Sequence, residues 1–346
     1  VSVAVSDEPI DPRDWPTTTT HRIRIVGPNP AMDRIQTVGD LVPGSVHRVR
    51  SVVAKAGGKS FIVARTVRSL GVDVSLYGFL GGPVAELAAR ECRELGIDDR
   101  HTPIRGETRI TPVIVEESTG RSTVFNEPGP EVSATEVAEL TRRISADLGA
   151  GDLVVCTGSL PPGLDAGFYA DVVRTGRSRG ALVAVDGSRD VLRLALDAAP
   201  WIVKCNRTEF EAVTGLSVTG PAPASVAQLT AAMLQQVDRG TSVVIVTMGA
   251  SAFLVATGDG VWTVQVPRIE AVNATGSGDT FLACFVASVA DGGSLADALR
   301  QATAGGVANA AQLQAGLDDT SALDGYARAV SFAPVGALPA TGTEAR

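Results

Sequence analysis

The sequence is short of aromatics (4% of 346 residues), of histidine (three) and of cysteine (four), and it has no long apolar run. Each shortage excludes something. No stretch approaches the ~20 apolar residues that a membrane helix needs. Cys92, Cys156, Cys205 and Cys284 lie far apart with no C-x-x-C pair, so they read as buried free thiols in a reducing compartment. Positive charge is also in deficit, with 30 Lys and Arg against 38 Asp and Glu for a net −8. That argues against a general nucleic-acid binder, which needs a basic face, but leaves room for a compact basic pocket. Residues 1–20, ending in Pro16 and four threonines, lack a signal-peptide core and read as a disordered tail. Cytoplasm is the expected location.

From His21 onward, short β-branched runs alternate with helical patterns. Leu153–Thr157, Ala181–Asp186, Trp201–Lys204 and Ser242–Thr247 are dense in Val and Ile without polar alternation, as buried strands are. Between them, Asp165–Arg177, Asp190–Leu196 and Ser225–Asp238 carry apolar residues at three- and four-residue spacing. Strand–helix repetition of this kind predicts an α/β domain with a mostly parallel sheet covered on both faces, over residues 21–325. Ligands bind such sheets beyond the carboxyl ends of the strands. Two segments break the pattern. Gly44–Val53 and Thr111–Asn126 look extended with interspersed charge, and Ser118-Thr119-Gly120 supplies a hairpin turn. Strands from about 34–56 and 104–128 would form a small separate sheet, a lid. Residues 326–346, rich in Ala, Pro and Gly toward the end, read as a C-terminal tail.

The strongest chemical signal is Asn273-Ala274-Thr275-Gly276-Ser277-Gly278-Asp279-Thr280, followed by the helical run Phe281–Ala290. A Gly-x-Gly turn entering a helix leaves unpaired N–H groups at the positive end of the dipole. Gly276, Ser277 and Gly278 could thus form an anion hole for a transferring phosphoryl group. Asp279 could take the proton of a hydroxyl nucleophile in line with that group. The plain alternative is a helix cap.

The motif's company decides between them. Asn29-Pro30-Ala31-Met32-Asp33 follows the first strand, and Gly57-Gly58-Lys59-Ser60 opens an early helix. Lys204-Cys205-Asn206-Arg207-Thr208-Glu209 and Thr247-Met248-Gly249 follow two later strands. With Gly44–Val49, Thr108-Arg109, Asn126–Pro130 and Gly158-Ser159-Leu160-Pro161-Pro162-Gly163, these motifs resemble the PfkB (ribokinase-like) sugar kinases over about Ile23–Leu317. The resemblance is to their 1-phosphofructokinase and tagatose-6-phosphate kinase branch.

That resemblance implies a ribokinase-like fold with a β lid, and ATP and Mg²⁺ as cofactors. It also implies a phosphorylated ketohexose as acceptor. The net charge and the lack of a long apolar run argue against nucleic acid or membrane as partner, and lid strands with exposed edges and apolar faces that need cover would favour a homodimer through the lids. The resemblance casts Asp279 as the catalytic base and Asp33 as the acceptor of sugar hydroxyls. Arg109 would grip the phosphate already on the sugar, with Gly57, Gly58, Lys59, Arg48 and Ser159 also on the substrate side. Lys204, Asn206, Glu209, Thr247, Gly249 and Asn309 would surround ATP, and Asn206 and Glu209 would organise the metal through water. None of His21, His47 and His101 falls at a catalytic position of the family.

Ser60 and Ile62 stand where the family usually has Gly and a sugar-binding Asn, which puts the identity of the sugar in question. A P-loop is excluded because position 53, where its first glycine belongs, is Val53. A dinucleotide-binding turn is excluded because the first strand ends in Gly27-Pro28-Asn29-Pro30. A non-catalytic sugar-phosphate sensor on the same fold is the rival from another class.

Overall fold

The computed structural model describes residues 6–17, 19, 22–216, 223–250 and 252–335. From β1 (Arg22–Val26) the chain passes to β2 (Ala31–Val38), β3 (Ser51–Gly57), α1 (Lys59–Ser69), β4 (Asp73–Tyr77) and β5 (Phe79–Leu80). Next come α2 (Pro83–Leu95), β6 (Asp98–Asp99), β7 (Thr102–Pro103), β8 (Ile110–Glu116), β9 (Ser122–Val124) and α3 (Ala134–Asp147). The later half alternates through β10 (Leu153–Thr157), α4 (Phe168–Ser178), β11 (Leu182–Asp186), α5 (Arg189–Asp197), β12 (Ile202–Asn206) and α6 (Arg207–Thr214). There follow α7 (Pro223–Asp238), β13 (Val243–Thr247), β14 (Ala252–Thr257) and β15 (Gly260–Gln265). The last elements are α8 (Ser277–Ala290), α9 (Leu295–Ala310), α10 (Leu323–Arg328) and β16 (Ser331–Pro334).

Ten strands make the main sheet, in the order β16-β15-β14-β13-β12-β11-β10-β1-β4-β6. From β13 to β6 every pairing is parallel, while β13 to β16 pair antiparallel. The parallel strands lack polar alternation because helices cover both faces. In β10, Leu153 and Val155 enter one core with residues of α1, α8 and α9, whereas Val154 and Cys156 enter another with residues of α3 and α4. The chain leaves β1 in one direction toward β4 and returns on its other side at β10. This reversal opens a crevice at the carboxyl ends of β1 and β10, where ligands of α/β sheets bind.

A second sheet of four strands, β3-β2-β8-β9, stands apart. The expected small sheet is therefore present, with shifted bounds. Its first pair is β2 and β3, and much of the segment expected as extended from Gly44 is loop. Its register places Val53, Ile35, Val113 and Val124 in one row across all four strands. The next row toward the main domain holds Lys55, Asp33 and Thr111. Side chains in paired positions share a face.

Both expected tails need correction. Trp15 is buried against Trp201 and Phe285, at 5.2 and 6.1 Å between ring centroids, and its Nε1 donates to the Gly293 carbonyl at 3.0 Å. Asp11 accepts from the amide of Leu295 at the start of α9. Burying ~200 Å² of indole at ~25 cal/mol/Å² favours docking by roughly 5 kcal/mol before ordering costs, so residues 6–17 are not a loose tail. At the other end, α10 buries Leu323 and Ala327, and β16 extends the main sheet beside β15. The rest of the two expected tails (residues 1–5, 18, 20 and 336–346) lies outside the described residues, as does His21.

Candidate active site

A cleft of about 1160 Å³ lies between the small sheet and the carboxyl ends of β1, β10 and β11, closed on one side by the start of α8. Asp33, Gly58, Lys59, Arg109, Ser159, Glu209, Gly276 and Asp279 all line it. Residues separated by up to 246 positions in sequence thus meet in one place.

At the acceptor end, glycine makes the geometry possible. A side chain on Gly57 would overlap the Asp33 carboxylate, and Gly58 starts α1 from a backbone with φ +80. The Gly58 amide donates to Asp33. Burial raises the Asp33 carboxyl above its ordinary range, and that amide together with Lys55, Arg65 and Arg109 partly offsets the rise. Arg109 is already oriented. Its Nε and Nη2 donate to the Asn29 carbonyl at 3.3 and 3.0 Å, and Nη1 donates to the Glu127 carbonyl at 3.1 Å. Ser159 Oγ accepts from Asn29 Nδ2 at 3.0 Å.

At the other end Asp279 is buried, 7% exposed, in the first turn of α8. Burial pushes its carboxyl up to about 6, with Lys59 and Lys204 pulling against burial and Asp186 and Asp33 adding to it. Lys59 Nζ lies 3.9 Å from Asp279 Oδ1 and 3.1 Å from Asp186 Oδ2. Lys204 Nζ lies 3.5 Å from the same Asp186 oxygen. Burial by itself would raise the Asp186 carboxyl, but Lys204 and Lys59 hold it below its ordinary range. Lys204 also reaches the glycine turn, since a Cβ on Gly278 would meet its Nζ at 3.0 Å.

Several expected roles change. Ser277 spends its amide on the Ala274 carbonyl at 3.2 Å, so it is not a third anion-hole donor. The amides of Gly278 and Asp279 have no acceptor among the described residues, as the first turn of a helix allows. Asn309 is fully buried, and its side chain is spent on partners inside the protein. Its Nδ2 donates to Thr275 O and Ser277 Oγ, and its Oδ1 accepts from Thr280 Oγ1 and the Gly316 amide. It pins the glycine turn to α9. Arg48 is exposed on the β2–β3 loop and does not line the cleft.

Asn206 and Glu209 form a reciprocal capping box on α6, each side chain accepting from the other's amide at 2.9 Å. Glu209 also lines the cleft. Thr247 is paired beside Asn206 at the carboxyl end of β13, with Gly249 just beyond, both outside the cleft lining.

Two residues were missed from sequence. Asp186 ends the buried parallel strand β11, and a polar residue at that position is the signal that the sequence offers. Lys55 faces the cleft beside Asp33 with its Nζ 3.2 Å from Gln314 Oε1. Burial, and secondarily Arg65, lowers its ammonium below the ordinary lysine range. Ile62 is 7% exposed and lines the cleft with Leu313 and Ala315. Ser60 packs on Gly27, where a Cβ would collide with it. The four cysteines are free and buried, and no helix among the described residues is long and apolar enough to cross a membrane.

Residues 23–321 match the model of the pfkB family carbohydrate kinases. A 1-phosphofructokinase of Escherichia coli is 30% identical over 315 residues, covering 91% of this chain and 99% of the relative. A tagatose-6-phosphate kinase of Staphylococcus epidermidis is 29% identical over 298 residues, covering 86% and 94%. A crystal structure of a possible 1-phosphofructokinase from Thermotoga maritima superposes with a TM-score of 0.82 at 26% identity, covering 91% of this chain and all of that one. With its buried carboxylate behind a glycine turn, the chain belongs to the pfkB family of carbohydrate kinases, phosphotransferases with an alcohol group as acceptor.

Proposed function

We propose that this chain transfers the γ-phosphoryl of ATP to a hydroxyl of a phosphorylated ketohexose. Fructose 1-phosphate, giving the 1,6-bisphosphate, is the first candidate, followed by tagatose 6-phosphate and fructose 6-phosphate. One observation carries the reading. Asp279 sits beside the unpaired amides of α8 and opens into the same cleft as Asp33 and Arg109. Asp33 would accept from sugar hydroxyls, and Arg109 would hold the distal phosphate through its planar fork. Asp279 then takes the proton of the attacking hydroxyl. The Gly278 and Asp279 amides, with Lys59, offset the negative charge on the phosphoryl group in transit.

Magnesium prefers few protein ligands, retained water and phosphate oxygens. The Glu209 carboxylate on the cleft wall fits that demand, and Asn206 serves it by seating Glu209. When bound, the ion supplies charge neutralisation at the nucleotide phosphates. Among the described residues no group of three or more acidic, histidine or cysteine side chains could hold an ion by itself.

The exposure of Val53 at 42% and Val124 at 37% on the small sheet favours a homodimer through these sheets. Buried thiols and ATP dependence fit a cytoplasmic enzyme. Release of ADP over a panel of the three phosphosugars tests the reading. Tight sugar-phosphate binding without ADP release would instead support the non-catalytic sensor.

A further inference from the structure

Two non-glycine residues hold a left-handed backbone, Arg189 at φ 53 and Ala199 at φ 52. Ala199 follows the last turn of α5, and its amide bonds back to Leu196 O at 3.0 Å. That is where helices commonly adopt this conformation, and it needs no other explanation. Arg189 is at the opposite end of the same helix, its first residue, where a left-handed backbone serves no capping purpose. The preceding Ser188 does not cap the helix with its side chain either. A residue with a side chain is strained in this region, and glycine would be the ordinary choice.

Arg189 lines the cleft, as do Asp186 three residues earlier and Glu209 on the neighbouring α6. The β11–α5 loop that carries it lies between the acceptor-side loop after β10 and the Glu209 end of β12, because β11 lies between those strands in the sheet. Among the described residues its guanidinium has no hydrogen-bond or ion-pair partner. The adjacent carboxylate, Asp190, faces Arg193 at 3.4 Å. Lys59 and Lys204, the other cations at this end, already share Asp186. Arg189 is therefore an uncommitted planar cation, held in a costly backbone conformation at the boundary between the two halves of the cleft.

We infer that Arg189 is a phosphate-binding residue, contacting phosphate oxygens that approach the β11–α5 loop from the nucleotide or from the phosphorylated sugar. The inference rests on the phosphotransfer reading, and it names a contact that no resemblance assigned. A guanidinium fork binds phosphate in two-point fashion, whereas lysine offers a point charge.

Arg189→Gly separates function from structure, because it removes the guanidinium and relieves the backbone at once. The expected outcome is a melting temperature equal to or above wild type, with at least a ~10-fold loss for one phosphate-bearing ligand, the scale of a charge-assisted contact. Arg189→Lys should fall between the two. Equilibrium binding of magnesium–ATP and of fructose 1,6-bisphosphate to each purified variant identifies the source. Selective weakening of ATP puts Arg189 on the nucleotide, and selective weakening of the bisphosphate puts it on the sugar. KM for each substrate should move in the same sense. Unchanged affinity for both ligands overturns the inference. A lower melting temperature for Arg189→Gly also overturns it, since the side chain would then be holding the loop. Wild-type protein that binds these ligands without releasing ADP would sink the kinase reading and leave the Arg189 comparison standing.

Discussion

The main sheet and the small sheet are both rich in valine, and they use it in opposite ways. In β10 and β13 nearly every side chain is buried, because helices lie on both faces. In β2, β3 and β8 most positions are half-buried or exposed, and in the row across the sheet Val53 and Val124 are exposed while Ile35 and Val113 are half-buried against the cleft. The first arrangement gives a rigid platform on which a 1 Å error in Asp279 or Lys204 is hard to make. The second gives a half-exposed surface whose apolar row lies on the same face as Lys55 and Asp33, beside the cleft that Arg109 also lines. In the proposed reaction, phosphoryl transfer would fall to the platform and sugar recognition mainly to the smaller sheet.

The sharpest way to break this division is Asp279→Asn. Its kcat should fall ~10²–10⁴-fold, the usual worth of a general base, with KM values and the fold retained. Near-normal turnover would reduce Asp279 to a helix cap. In the wild type, kcat should fall as pH drops through about 6, where Asp279 takes up a proton. The linked stability has the opposite sense. A carboxyl raised on folding binds protons that the unfolded chain does not, so stability declines as pH rises from the ordinary carboxylate range to about 6. A pH series of melting temperatures should show this slope in wild type and lose it in Asp279→Asn.

Asp186→Asn should test the platform itself. It leaves Lys59 and Lys204 facing each other without their shared carboxylate, and breaking a buried ion pair in this way costs about 3–5 kcal/mol. Urea denaturation at neutral pH should report it. Because Asp186 is held below its ordinary range, its contribution disappears only as pH falls beneath that range. A stability loss under ~1 kcal/mol would mean that solvent already screens the trio.

On the small sheet, Arg109→Ala should raise KM for the phosphorylated sugar by ~10- to 150-fold, from a charge-assisted contact worth ~1.5–3 kcal/mol. KM for ATP should barely move. Equal changes in both would erase the division between the sheets. The smallest effect is expected at Ile62, which borders the cleft from α1. Ile62→Asn should improve affinity for fructose 1-phosphate by roughly ten-fold, about 1.4 kcal/mol. Loss of thermal stability with no gain on any phosphosugar would show that Ile62 belongs to the core.

The sequence by itself determined the alternation of strands and helices and the glycine turn before Asp279, and the resemblance of its motifs to a kinase family supplied Asp33, Arg109 and Lys59 as cleft residues. Apolar periodicity and glycine before a helix are local signals, and burial on both faces writes itself into a strand as an unbroken apolar run. Only the tertiary structure decided the rest. Asp186 looks like the end of a strand until Lys59 and Lys204, from 127 and 18 residues away, converge on it. Asn309 looks like a ligand contact until its four hydrogen bonds to the turn and to Gly316 are seen. Trp15 looks like part of a disordered tail until Trp201 and Phe285 provide a pocket for it. Each of these depends on partners distant in sequence, and hydrogen-bond satisfaction and burial are properties of the folded neighbourhood, which no local pattern records.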